Sequence, residues 1–174
     1  MKLLRFALAI VALLPGPAAA QLAPTNGFTD ADVARFRKLD ATLGHWVCQD
    51  RPTNSTPDST SDTIVTTREG NFYVSREVNA EPHTTYTRWS HALQRYIATT
   101  LYDAGGTFIF TTTADDPNNA TWSVAFPTPG MMPATQMPQG YTIRTAGNTI
   151  TETEQYYDAM QTLKTGSAIC TRSS

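Results

Sequence analysis

The stretch Gly44-His45-Trp46-Val47-Cys48, together with the cysteine at position 170, decides the fold predicted for this chain. Trp46 and Cys48 are two residues apart, so in a β-strand their side chains point to the same face. Cys48 and Cys170 are the only two cysteines, and they lie in the first and last segments that read as strands. A disulfide between them makes these two strands neighbours, which closes a sheet into a barrel. We therefore predict a Cys48–Cys170 disulfide at the seam of a closed barrel.

The first twenty residues have the three-part pattern of a signal peptide. Lys2 and Arg5 supply positive charge, residues 6–14 form an apolar run, and residues 18–20 are three alanines. The apolar run is shorter than the roughly 20 residues that cross a bilayer. We predict export to the periplasm or the exterior with cleavage after Ala20; the alternatives are an uncleaved anchor and a buried helix. No later stretch could span a membrane.

Charge and cysteine usage limit the classes of partner. The chain has 13 Lys and Arg against 15 Asp and Glu, a net charge of −2, and no basic stripe. It therefore has no electrostatic reason to bind nucleic acid. An oxidising compartment favours the disulfide over the alternative, two free buried thiols. Asn54 and Asn119 match the glycosylation pattern, which matters only if the producing cell glycosylates exported proteins.

Residues 30–42 read as one helix. Thr29 is a suitable N-cap, Asp30 and Asp32 lie in the electropositive first turn, and Gly44 supplies the stop. Apolar residues recur at roughly helical spacing, which predicts that one face packs on the barrel. We expect the helix to serve as a lid or plug.

From Gly44 onward the pattern changes to strands, because threonine, β-branched and aromatic residues are enriched and turn residues recur about every ten residues. The predicted strands are 45–50, 63–68, 72–78, 84–89, 95–102, 107–113, 121–126, 141–145, 149–157 and 163–171. No helix separates them, which indicates an antiparallel sandwich or barrel. We predict an all-β, up-and-down antiparallel barrel of eight to ten strands with a short N-terminal helix. The predicted divisions are a signal peptide (1–20), a segment with the helix (21–43) and the barrel (44–174).

Gly44-x-Trp46 opens the first strand directly after the short helix. This arrangement resembles the calycin superfamily, which includes lipocalins and fatty-acid-binding proteins. In lipocalins a basic residue from the end of the last strand packs across that tryptophan, and the resemblance implies this structural role for Arg172 beside Trp46.

The run Leu43-Gly44-His45-Trp46 is followed by a glycine hairpin at 69–71 and a tyrosine/tryptophan strand at 86–89. This layout resembles the uncharacterised lipocalin-like proteins of bacterial envelopes and, more distantly, the ten-stranded nitrobindin barrels. Nitrobindin holds haem through a histidine late in the chain, whereas no histidine follows His91 here. The resemblance therefore does not imply haem, and we predict no cofactor.

Small barrels can hold one ligand inside, so we predict an exported, lipocalin-like binding module for a small, partly apolar molecule. The candidate ligand contacts are aromatic or basic residues at strand centres: Tyr86, Arg88, Tyr96, Phe108, Trp122 and Tyr156. The alternative is a packed barrel without a cavity that serves as a structural or interaction protein of the envelope. A cavity, and the residues that line it, would discriminate between the two.

Glu152 and Glu154 share one face of a predicted strand. Paired carboxylates can perform acid–base chemistry if one is buried and its pKa is raised, which is the basis of a second alternative, a hydrolase. They could instead lie on an outer face in water, or point into a wet barrel against Arg76, Arg88 or Arg144. The sequence has no nucleophile elbow, phosphate loop or dinucleotide motif, so we do not predict catalysis.

The histidines and methionines do not predict a metal site. The three histidines have no partner at ligand spacing. The methionines at 131, 132 and 137 have thioethers that suit Cu(I), but covering an apolar opening is the simpler interpretation. The histidines are His45, His83 and His91.

Overall fold

The computed structural model describes residues 28–50, 61–78, 82–103, 105–127, 138–157, 160 and 162–173. Within these residues, ten antiparallel strands form a closed barrel in which each strand pairs with its neighbours in sequence and the last pairs with the first. The predicted barrel is thus confirmed. The strands are β1 (Gly44–Asp50), β2 (Ser61–Glu69), β3 (Phe72–Glu77), β4 (His83–Ser90), β5 (Arg95–Tyr102), β6 (Thr107–Thr112), β7 (Thr121–Pro127), β8 (Pro138–Ala146), β9 (Thr149–Tyr157) and β10 (Leu163–Arg172). The predicted signal peptide, Asn54 and the methionines at 131, 132 and 137 lie outside the described residues.

The predicted helix has the expected extent but consists of two parts. An α-helix, α1 (Asp30–Arg37), continues as a 3₁₀ helix (Lys38–Thr42). One strand differs more: β8 begins at Pro138 instead of Tyr141, because residues 138–140 pair with β9 through an irregular register. No helix among the described residues is long and apolar enough to cross a bilayer.

The seam between β1 and β10 contains the predicted contacts. Cys48 lies opposite Cys170, and the two form a disulfide, as predicted. Trp46 lies opposite Arg172, whose guanidinium carbon is 4.6 Å from the centroid of the indole ring. The same guanidinium donates a 2.9 Å hydrogen bond to the carbonyl of Ala41, so it also holds the 3₁₀ helix against the seam.

The helical segment closes one end of the barrel as a plug. Phe36 and Leu39 are buried in the main core together with aromatic residues from the strands. Indole N–H groups from three strands fix the surroundings of the plug, as expected for buried tryptophans that need an acceptor. The bonds run from Trp46 to the Thr42 carbonyl (2.8 Å), from Trp89 to the Asp32 carboxylate (2.7 Å) and from Trp122 to the Pro117 carbonyl (3.1 Å).

Asp32 joins the plug to the barrel wall. Its carboxylate accepts hydrogen bonds from the backbone N–H and the hydroxyl of Thr29. The backbone N–H of Asp32 in turn donates to the Thr29 hydroxyl oxygen, which completes a capping box at the start of α1. The same carboxylate contacts the Trp89 indole and the Nδ1 atom of His91, at 2.7 and 2.9 Å. These hydrogen bonds, chiefly the one from the Thr29 backbone, outweigh the effect of burial and hold the pKa of Asp32 well below its usual range.

The disulfide should contribute stability without directing the fold. Replacing both cysteines with serine should lower the free energy of unfolding by about 2–5 kcal/mol, because the bond constrains a long loop in the unfolded chain. The neighbouring pairs of the β1–β10 seam remain, so the far-ultraviolet circular dichroism spectrum should stay that of a β protein. Urea denaturation of the double variant measures the loss.

A thiol titration of unfolded, unreduced wild-type protein is the control, and it should find no free thiol. Two free thiols per chain, or a double variant as stable as the wild type, would contradict the role assigned to the bond.

Candidate functional site

The barrel encloses a cavity of about 600 Å³ above the plug. Successive residues of a strand point to opposite faces, so every second residue of each strand can line it. Leu39, Thr42 and Trp46 form the floor. The walls differ in chemistry, with aromatic, hydroxyl and carboxylate groups on separate sets of strands.

The aromatic wall consists of Phe110 from β6, Trp122 from β7 and Tyr141 from β8. Trp122 and Tyr141 lie opposite each other in register and are stacked, with ring centroids 5.8 Å apart and planes inclined by 12°. Phe110 meets Tyr141 edge-on at 4.9 Å. This wall presents a rigid apolar surface, which suits the body of a partly apolar molecule.

Gly140 allows the aromatic wall to form. Its φ angle is +157°, and a Cβ atom at this position would clash with the carbonyl oxygen of Trp122. Any side chain would therefore push β8 away from β7. Glycine permits the close approach that places Tyr141 beside Trp122.

The hydroxyl wall spans β2 to β5. Thr66 and Ser75 are hydrogen-bonded across β2 and β3 at 2.9 Å, and Thr85 and Thr100 are hydrogen-bonded across β4 and β5, also at 2.9 Å. All four line the cavity. Each of these four hydroxyls therefore has a hydrogen-bond partner within the wall.

Four carboxylates form an arc on the wall that crosses the seam: Asp62 from β2, Asp50 from β1, and Glu152 and Glu154 from β9. The strand between β1 and β9 contributes only small residues there. Ala168 lies between Asp50 and Glu152 in register, and Gly166 lies opposite Glu154. The small residues of β10 therefore leave open space in front of the acidic arc.

A fifth carboxylate lies away from the arc. The Nε2 atom of His83 is 3.6 Å from an oxygen of Glu77, and both residues line the cavity at strand ends remote from the plug. The imidazole also packs against the ring of Tyr102, with centroids 4.9 Å apart. His83 is the one imidazole among the described lining residues.

The environment of Glu152 opposes ionisation of its carboxyl group. Burial, together with the negative charges of Glu154 and Asp50, raises its pKa from 4.5 to about 7. Within the described part of the chain, its carboxyl has neither a hydrogen-bond donor nor a cation as partner. It therefore changes between neutral and ionised forms near neutral pH.

The six predicted ligand contacts occupy three different environments. Trp122 and Tyr156 line the cavity. Tyr96 and Phe108 point inward but belong to the packed core, with 0% and 2% of their surface exposed. Tyr86 and Arg88 lie on the outer face of β4, where both contact Phe72. Residue type at a strand centre does not determine which face of the strand is inside the barrel, and this accounts for the difference.

Sequence reasoning missed Asp50, Asp62 and Glu77 as lining residues. Asp50 follows Trp46 and Cys48 at two-residue spacing, so the alternation that grouped those two residues could have added it. Asp62 and Glu77 gave no comparable signal, because their strands have polar residues on both faces.

Glu152 and Glu154 point into the barrel, so the interpretation as an outer face is wrong. The proposed arginine partners are also wrong, because all three arginines are engaged elsewhere. Arg76 pairs with Glu69 at 2.7 Å, Arg88 covers the Phe72 ring, and Arg144 donates to the Asn119 carbonyl at 3.0 Å. The hydrolase alternative stays a prediction.

The histidines are separated from one another. His45 is exposed on β1, His91 contacts Asp32 and His83 lies beside Glu77. Among the described residues, no group of three or more His, Cys, Asp or Glu side chains is arranged to hold a metal ion.

Comparisons with known proteins show the fold alone. No family model matches the chain, and no curated protein matches it. Among solved structures, the chain is similar to the crystal structure of Rv2717c from M. tuberculosis, with 17% sequence identity and a TM-score of 0.59 over 79% of this chain and 98% of that chain. This likeness supports the barrel but not the specific lipocalin-like or nitrobindin resemblance.

Replacing Glu152 with Gln should stabilise the protein, relative to the wild type, more at pH 8 than at pH 5. The pKa of Glu152 rises from 4.5 to about 7 on folding, so between these values the folded state holds a proton that the unfolded chain has released. The stability of the wild type therefore falls as the pH rises through this window. Glutamine does not titrate, so the variant lacks this pH dependence. The difference in free energy of unfolding between the variant and the wild type should therefore grow by about 1–3 kcal/mol from pH 5 to pH 8, since one pKa unit corresponds to about 1.4 kcal/mol.

Urea denaturation at the two pH values measures this difference. Glu69→Gln is the control, because Glu69 lies on the surface beside Arg76 and its pKa is lowered, so it does not titrate between pH 5 and 8. An advantage for Glu152→Gln that is equal at both pH values would show that Glu152 is already ionised at pH 5.

Proposed function

We propose that the protein is an exported binding protein that holds one small, partly apolar molecule inside the barrel. The observation that carries this proposal is the cavity of about 600 Å³, which lies within the range of roughly 300–1,000 Å³ typical of small-molecule sites. A barrel that serves only as a scaffold has no need of such a space. Large side chains at the inward positions of β10 would fill it, but those positions have Gly166 and Ala168.

The lining suits a molecule with two chemically distinct ends. The stacked pair of Trp122 and Tyr141 can cover an apolar or aromatic body, and apolar burial contributes about 25 cal/mol per Å². The hydroxyl wall and the acidic arc can orient a polar group. Such a combination of an apolar surface with a few polar groups is typical of ligand sites.

The plug determines the direction of entry in this proposal. Trp46, Trp89 and Tyr96 are buried against the plug, so that end is closed. Asp50, Glu77 and His83 lie at the ends of their strands that are remote from the plug. A ligand would therefore enter past these polar residues and reach the aromatic wall with its apolar end.

Export is part of the same proposal. It rests on the signal-peptide pattern of residues 1–20 and on the Cys48–Cys170 disulfide. Disulfides persist in oxidising compartments and are rare in the cytosol. The ligand would accordingly be a molecule that is present outside the cytoplasm.

Native mass spectrometry of protein purified from the envelope of its own host tests the binding function. The wild type should retain an extra mass that is lost on denaturation. Ala168→Phe, which fills the cavity between Asp50 and Glu152, should abolish the extra mass. Ile169→Phe is the matched control on the same strand, because it faces outward and should leave the extra mass in place. Wild-type protein that is repeatedly empty would favour the alternative of a packed interaction barrel.

The mass of the denatured protein from the same preparation tests export. It should correspond to a chain that begins at Gln21 and has two hydrogen atoms fewer than its composition requires, because of the disulfide. A mass that includes residues 1–20 would contradict cleavage, and a mass with both thiols reduced would contradict an oxidising compartment.

A further inference from the structure

The charges of the protein are segregated between the cavity and the rest of the molecule. Five carboxylates line the cavity, out of 15 Asp and Glu in the chain, whereas none of the 13 Lys and Arg is among the described lining residues. The described arginines near the walls are engaged elsewhere, for example Arg76 with Glu69 outside and Arg172 on Trp46 at the floor. The described lining of the barrel therefore gives the cavity a negative potential.

Glu152 is a second observation that points to a missing positive group. It projects into the cavity from β9, with Asp50 and Glu154 beside it. No hydrogen-bond donor or cation among the described residues reaches its carboxyl. Enclosed carboxylates are normally paired or hydrogen-bonded, because an unpaired charge is costly to desolvate. Ala168, the neighbour of Glu152 on β10, leaves space directly in front of the carboxyl.

We infer that the ligand of this cavity is an organic cation, an ammonium-type group attached to an apolar or aromatic body. This inference rests on the proposed binding function and specifies the class of molecule. The cationic group would lie against Glu152, Glu154 and Asp50, where it forms charge-assisted hydrogen bonds. The body would pack on the wall of Phe110, Trp122 and Tyr141, and aromatic faces also attract cations.

Two other classes of ligand fit the cavity less well. An anionic molecule, such as a fatty acid, would meet like charges at every carboxylate of the arc and find no Lys or Arg among the described lining residues. A bare metal ion would need at least three converging ligands, and the described residues contain no such group. The metal would also leave the aromatic wall without a function.

The test compares the affinities of probe molecules that differ in charge but share the same apolar or aromatic body. Isothermal titration at pH 8, where Glu152 is ionised, uses two matched sets of probes: tryptamine, tryptophol and indole-3-propionate, and octylamine, octanol and octanoate. Aliphatic amines have pKa values near that of Lys, about 10.4, and remain protonated at this pH. In at least one set the amine should bind about tenfold or more tighter than the alcohol, and the carboxylate should bind most weakly.

Variants of the protein show which carboxylates cause the preference for amine probes. Glu152→Gln should reduce the affinity for the amine about tenfold and leave the affinity for the alcohol within about twofold. Asp50→Asn, from the opposite side of Ala168, provides a second test should the first variant be unstable. Glu69→Gln, on the outer surface, should change neither affinity.

The outcomes separate this inference from the function on which it rests. Alcohol and carboxylate probes that bind as tightly as the amines would overturn the inference and leave the binding function in place. An amine preference that survives both Glu152→Gln and Asp50→Asn would overturn the assignment to the arc. If no probe binds, the inference fails, and the native mass spectrum decides whether the binding function fails with it.

Discussion

The pairing of β1 with β10 is the contact on which the rest of the structure depends. Every other pairing in the barrel joins strands that are adjacent in the sequence, so only this one brings distant parts of the chain together. Without it, β1 and β10 would be edge strands with unpaired backbone groups. The same pairing assembles the acidic arc, because Asp50 and Glu152 lie on either side of Ala168 across the seam. Closure of the fold and formation of the candidate site are therefore a single event.

The plug sets the limits of the cavity. Phe36 and Leu39 fill the barrel on one side, and the three tryptophan N–H groups fix this end with hydrogen bonds. Asp32 performs two tasks, since it completes the capping box of α1 and accepts the hydrogen bond of Trp89. Trp46, Trp89 and Tyr96 are buried near the plug, whereas hydroxyl groups and the small residues Gly166 and Ala168 line parts of the remaining length of the interior. A barrel packed along its whole length would have no room for a ligand.

The carboxyl group of Glu152 is costly to ionise inside the barrel. Burial removes hydration from its charged form, and the nearby negative charges of Glu154 and Asp50 oppose ionisation in the same direction. The raised pKa of Glu152 is the physical sign of that cost, because the carboxyl resists ionisation in this environment. Positions that break the local rules of packing are those at which a function is expected. The cost at Glu152 disappears when a cation lies beside it, which links the stability argument to the proposed ligand.

The sequence by itself determined the ten strands, the helix and the disulfide. These features depend on local patterns or on a count: turn residues bound each strand, Thr29 caps the helix, and two cysteines allow one intramolecular pair. Only the tertiary structure decided which face of each strand is inside. On β4, Tyr86 and Arg88 were chosen for their chemistry, yet Thr85 and Thr87 line the cavity. Side chains alternate between the two faces of a strand. When both faces have polar residues, this alternation does not show which face is buried. The acidic arc was likewise beyond the sequence, because its members come from three strands whose relative register exists only once the barrel has closed.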